Sequence, residues 1–156
     1  MKTKLLVLIL VGHLGYAHAK EDLATALDTT ATGPKNHSID FIDKNLKLAL
    51  ACTVGQTQPI LKVTMAESFA FSGDPSVLII SNDNQHRVKL RGTATLMNFT
   101  SGDKTDSDLW ESLSQFQSAE LHLEVISFRS SKYTSSDLVA TGFTDAVAKL
   151  KQDCIQ

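Results

Sequence analysis

Three side chains in the second half of this 156-residue chain have the types and spacing to do chemistry: Glu120, His122 and Glu124. Residues two apart on an extended strand project to the same side, so an imidazole would stand between two carboxylates. Such a trio can relay a proton or, with a further ligand, hold a divalent metal. The segment Glu120-Leu-His-Leu-Glu-Val125 is also what a half-exposed strand displays, with Leu121, Leu123 and Val125 turned inward. His122 has no neighbouring histidine or inward cysteine to complete a metal shell. A solvated strand face is therefore the stronger expectation, and no metal or other cofactor is expected.

Asp103, Asp106 and Asp108 offer oxygens for calcium, but their spacing misses the EF-hand pattern, and loop solubility and helix capping explain them better. No Gly-x-Ser-x-Gly, no Ser-x-x-Lys with its supporting motifs and no glycine-rich phosphate loop is present. His37, His86 and His122 are the histidines beyond the amino-terminal segment, and no pattern joins them to a nucleophile. Trp110, Phe99, Phe116, Phe128, Tyr133 and Phe143 are scattered, as core or core-rim aromatics are. The loop Arg129-Ser-Ser-Lys-Tyr133 stands apart, because a basic and aromatic tip among small hydroxyl residues suits insertion into a partner. Arg129, Lys132 and Tyr133 are thus the partner-binding candidates, although an ordinary exposed loop is the stronger expectation.

The chain has two cysteines, Cys52 and Cys154. Lys2 and Lys4, the apolar run Leu5 to Val11 and the small-x-small site Ala17-His-Ala19 read as a secretory signal peptide over residues 1–19. The run is too short to span a bilayer, and no stable membrane insertion is expected. The product is expected outside the cytosol, first in the periplasm of a Gram-negative bacterium. Secretion by a eukaryotic cell is the alternative, in which Asn36 and Asn98 would be glycosylation sequons. In an oxidising compartment a lone, distant cysteine pair forms one structural disulfide, closing a loop of about 100 residues and contributing about 4–5 kcal/mol in the chain-entropy model. With Lys+Arg 15 against Asp+Glu 17, and two of those lysines in the signal, no basic cluster is left to hold nucleic acid.

The elements that must position these residues follow from periodicity. Residues 20–38, small, polar and interrupted by Gly33-Pro34, read as a flexible arm, and residues 39–156 as a single α+β domain. Leu46, Leu48, Leu50, Cys52 and Val54 alternate with polar and small residues, and Leu61, Val63 and Met65 follow as the second strand of a hairpin. Ser72-Gly-Asp-Pro75 breaks the chain before the central strand Val77 to Ile80. His86 to Phe99 is the fourth strand of a meander, with Gly92 marking a bulge. A short helix begins after Asp108, where Leu109, Trp110, Leu113 and Phe116 take helical spacing. Leu121 to Val125 is a strand, Ser127 to Ser136 a serine-rich loop or irregular edge, and Leu138 to Ala140 a brief strand. Phe143, Ala146, Val147, Leu150 and Cys154 then line one face of a terminal helix with Thr141 as its N-cap. The expected fold is a mainly antiparallel sheet of five to six strands, a short crossing helix and a C-terminal helix packed on one face and stapled to the sheet by Cys52–Cys154.

A strand-borne cysteine, Trp110-Glu-Ser-Leu-Ser114 and the terminal run Gly142-Phe-x-x-Ala-x-x-x-Leu-x-x-x-Cys154 together resemble the small periplasmic proteins associated with type VI secretion. The resemblance implies a non-enzymatic accessory protein of an envelope assembly, with the cysteines structural and no catalytic residues. The function expected is thus a secreted binding or accessory protein with a protein partner in the cell envelope. An inhibitor or immunity protein against a wall-degrading enzyme is a second reading. A small hydrolase or metal-dependent enzyme built on His122, Glu120 and Glu124 is a third, and it requires those side chains to converge in a cleft.

Overall fold

A computed structural model describes residues 35–83, 85–102 and 108–155. The expected signal peptide, residues 20–34 of the expected arm, and Asp103 and Asp106 lie outside the described residues. The strands are β1 (Asn36–Asp43), β2 (Leu46–Thr53), β3 (Ile60–Thr64), β4 (Ala70–Ser81), β5 (Arg87–Leu96), β6 (Asn98–Ser101), β7 (Glu120–Ser127) and β8 (Lys132–Val139). Helix α1 (Leu109–Ser114) precedes β7 and helix α2 (Phe143–Cys154) follows β8. The strands form one eight-stranded antiparallel sheet in the order β1-β2-β3-β6-β5-β4-β7-β8, curled so that β1 and β8 approach each other as a half-barrel.

The mainly antiparallel α+β architecture is as expected, but the sheet has eight strands and not five to six. One added strand, β1, begins at Asn36, three residues ahead of the expected domain start. Its register with β2, from Asn36 opposite Thr53 to Asp43 opposite Leu46, lends it backbone hydrogen bonds that its polar composition does not advertise. The other, β6, arises because the run expected as one strand folds back at Leu96-Met97, where Leu96 takes φ 56°. Glycine normally marks the first central position of such a two-residue hairpin turn, so a leucine there gives no turn signal.

Strand β6 then inserts between β3 and β5, which breaks the expected meander. The chain break expected at Ser72 to Pro75 lies within β4 as a bulge between Ala70 and Asp74. Gly92 is not at a bulge: it marks a close approach, since a Cβ there would lie 2.1 Å from the Thr100 carbonyl oxygen. The serine-rich segment is mostly regular strand, because Lys132 to Val139 pairs in full with β7.

Alternation sets the two faces. Leu48, Leu50, Leu61, Val63, Leu78, Ile80, Leu90, Leu123 and Val125 are buried on the inner face and form one core with both helices. From α1 come Leu109, Trp110 and Leu113, and from α2 Phe143, Val147, Leu150 and Cys154. Phe116 and Phe143 meet edge to face at 6.0 Å, and Phe41 lies 5.2 Å from Phe143, so the inside of the curl is filled. The His86 ring stands 4.5 Å from Phe116, and its Nε2 donates to the Ser112 carbonyl at 2.8 Å.

Asp108 caps α1 by accepting from the Glu111 N–H at 3.3 Å. The N-cap of α2 is Gly142 at φ 74°, not Thr141, and no side chain caps it. Cys52 and Cys154 are bonded across a Cα separation of 6.2 Å, which ties the end of α2 to β2. Among the described residues no helix is long and apolar enough to cross a membrane.

Candidate functional site

With the inner face filled, side chains available for contact lie on the outer face of the sheet, and those of β5, β4, β7 and β8 adjoin the turn that joins β7 to β8. The register sets them in rows. Arg87, Ser81, His122 and Asp137 lie side by side, and Lys89, Ile79, Glu124 and Ser135 form the next row. Arg91, Val77, Ile126 and Tyr133 form the third. Every one of these side chains points outward because its sequence neighbours, such as Leu78, Leu90 and Leu123, are buried in the core.

His122 and Glu124 meet as the sequence spacing predicts, in company the sequence did not announce. The His122 Nδ1 donates to Asp137 Oδ1 at 2.6 Å, and its Nε2 lies 3.6 Å from Glu124 Oε1. Glu124 also accepts from the Tyr133 hydroxyl at 3.1 Å and pairs with Arg87 Nη2 at 3.3 Å. Glu120 sits at the start of β7 opposite Val139 and joins none of these contacts. The network lies on an open sheet face rather than in a cleft. Among the described residues no three His, Cys, Asp or Glu side chains are grouped to hold a metal. His122 and Glu124 converge with Asp137 and Tyr133, but Glu120 stays apart and the network is not enclosed as the hydrolase reading requires.

The turn Phe128 to Ser131 is held by a residue distant from it in the chain. Asp74, fully buried at the β4 bulge, accepts from the Ser127 hydroxyl at 2.6 Å, the Arg129 N–H at 2.8 Å and the Ser130 N–H at 2.9 Å. Burial pushes its carboxyl upward, but the Ser127 hydroxyl and the donors from Arg129 and Ser130 outweigh that and lower its pKa from 3.8 to about 2. Three further bonds close the knot. The Ser130 hydroxyl donates to the Phe69 carbonyl at 3.0 Å, Arg129 Nη2 to the Gly73 carbonyl at 3.1 Å, and the Phe128 N–H to the Pro75 carbonyl at 3.0 Å.

The three partner-binding candidates are therefore separated. Arg129 has its guanidinium and its backbone tied to the β4 bulge, Tyr133 lies on the outer face beside Glu124, and Lys132 points to the opposite side of β8. Of the aromatics, Phe99, Trp110, Phe116 and Phe143 are core, whereas Phe128 and Tyr133 are 57% and 59% exposed. Phe128 is the residue missed: the clamp holds the backbone on both sides of it and leaves its ring in solvent. A signal for the basic side of this surface was present in Arg87-Val-Lys-Leu-Arg91, whose alternation lines three cations on one face. None existed for Asp74, which stands in a polar run that reads as an exposed turn.

Compared with models of known protein families, with curated proteins and with solved structures, the chain matched none.

Proposed function

We propose that the protein is a secreted, non-enzymatic binding or accessory protein of the cell envelope, and that it meets its partner through the β7–β8 turn and the adjoining outer sheet face. The observation that carries this reading is the Asp74 clamp, which fixes a turn bearing an aromatic side chain that stays exposed. Ordering a loop before it binds removes part of the entropy cost of association, and exposed Phe and Tyr supply contact area with few rotatable bonds. A filled interior supports binding at the surface over carriage of a ligand inside. The resemblance to periplasmic proteins associated with type VI secretion points to an assembly partner. A rigid aromatic turn also suits an inhibitor or immunity protein that plugs the cleft of a wall-degrading enzyme.

The test is capture from envelope extract on the protein from Lys20 onward, with Phe128→Ala/Tyr133→Ala and Asp74→Asn beside it, each checked for folding by circular dichroism. A defined envelope component should be retained by the parent, lost with the aromatic pair and weakened by Asp74→Asn. A secretion-apparatus component would favour the accessory role, and a wall enzyme inhibited at one-to-one stoichiometry the inhibitor role. Retention by nothing, or equally by all forms, removes the reading.

A further inference from the structure

We infer that a shallow pocket beside the β7–β8 turn receives an apolar side chain from an acidic partner segment, whose carboxylates are held by Lys89 and Arg91. The inference rests on the binding reading above and names the chemistry of the partner. The pocket measures about 260 Å³, opens to solvent, and has Pro75, Ser76, Val77, Lys89, Arg91 and Phe128 among its lining residues. Enclosed small-molecule sites run to roughly 300–1,000 Å³, so this one suits a single inserted side chain better than a ligand of its own. Val77, only 4% exposed on the outer face of β4, gives it an apolar floor, and Phe128 gives it an aromatic wall.

Charge selects the partner further. Two other cations of the outer face are paired: Arg87 lies 3.3 Å from Glu124, and Lys47 lies 2.7 Å from Asp40. Among the described residues, Lys89 and Arg91 have no carboxylate within 4.0 Å, although both are exposed on the same face of β5. Residues two apart on a strand stand about 7 Å from each other, close enough to engage successive acidic groups of one segment. An extended polyanion such as a sulfated glycan fits less well. Running across the sheet from this pair, it would meet Glu124 on β7 and Asp137 on β8 beyond β4, and it has no group for the Val77–Phe128 floor. The site therefore matches a short acidic stretch with an apolar anchor.

The test uses the secreted protein from Lys20 onward and a fluorescein-labelled peptide with phenylalanine between two pairs of glutamates, read by anisotropy. Saturable binding is expected, weakened about tenfold or more by Lys89→Glu/Arg91→Glu and by Phe128→Ala, and unchanged by Lys62→Glu on the outer face of β3. The inference is overturned if the peptide does not saturate, if the charge-reversed variant binds it equally, or if replacing its phenylalanine by alanine changes nothing. Displacement by a heparin pentasaccharide at the same concentration as by unlabelled peptide also overturns it, in favour of a general polyanion surface. The envelope capture separates the two readings. If capture survives Lys89→Glu/Arg91→Glu but is lost with Phe128→Ala/Tyr133→Ala, the turn stands as the contact and the acidic partner falls. If capture fails in every form, the binding reading itself falls.

Discussion

At the scale of the residue, Asp74 shows how one buried carboxylate can organise a surface it never reaches. Buried charge is costly unless paired or fully hydrogen-bonded, and here a hydroxyl and two backbone N–H groups supply the bonds. Because the folded-state pKa of about 2 lies below the ordinary 3.8, the native state holds this proton less readily than the unfolded chain. The stability contributed is complete above the unfolded value and is lost as pH falls through the window between the two. The urea midpoint of the parent should therefore drop between pH 4 and pH 2 by more than that of Asp74→Asn, and the gap between the two proteins should narrow toward pH 2. A constant gap across that range would mean that the carboxylate's charge is not what holds the turn. His122 meets the other fate of a polar residue on a strand: its bond to Asp137 and its neighbour Glu124 keep it in a network that stays open to solvent.

At the scale of the element, strand β5 carries two positions whose outcomes oppose intuition. Leu90 is 1% exposed in the core, whereas Leu96, on the same strand, is 58% exposed at a positive φ. Leu90→Ala should cost about 2–5 kcal/mol for lost burial and a residual cavity. Leu96→Gly should be neutral or stabilising within about 1 kcal/mol, because relief of the left-handed backbone offsets the added freedom of the unfolded chain. Chemical denaturation of the two variants checks both, and a large loss for Leu96→Gly would show that its side chain packs on something essential. Gly92 is the element's other constraint. A Cβ there would fall 2.1 Å from the Thr100 carbonyl oxygen and 2.9 Å from Ser101 Cα, both backbone atoms of β6. Gly92→Ala must then push β5 and β6 apart, and a loss of at least about 3 kcal/mol, or failure to accumulate folded protein, is the expected result.

At the scale of the molecule, the curled sheet and its two helices are held by a core that spans both and by one covalent tie between their ends. The Cys52–Cys154 bond joins residues 102 apart in the chain, so it removes a large share of the freedom of the unfolded state. Reduction, or Cys52→Ser/Cys154→Ser, should lower stability by about 4–5 kcal/mol on the chain-entropy account. Urea titrations with and without reductant measure this, and an unchanged midpoint would place the whole stability in the core. The same architecture separates duties by face. Helices fill the inner side, the outer side carries the charged network, and the clamped turn stands at the end of the β7–β8 pair.

Local patterns were enough for much of this. Alternation in Leu46 to Cys52 and Leu121 to Val125, and helical spacing from Phe143 to Cys154, specify elements and inward faces because burial acts on every second or every third to fourth residue whatever lies opposite. The pairing of the two cysteines was legible for a similar reason, since there was only one way to pair them. Legibility ended where a partner distant in the chain did the deciding. Strand β1 is a strand because β2 offers it a ladder, β6 separates from β5 at a leucine that carries no turn signal, and the strand order depends on which edges meet. Asp74 became the clamp of the turn because the β4 bulge brings it to Ser127, Arg129 and Ser130, more than fifty residues on. Phe128 was left exposed and Arg129 tied down by that same contact. The order of residues along the chain determined the elements and their faces, whereas the clamped turn and its exposed ring were decided by non-local hydrogen bonds, which leave no periodicity in the sequence to be read.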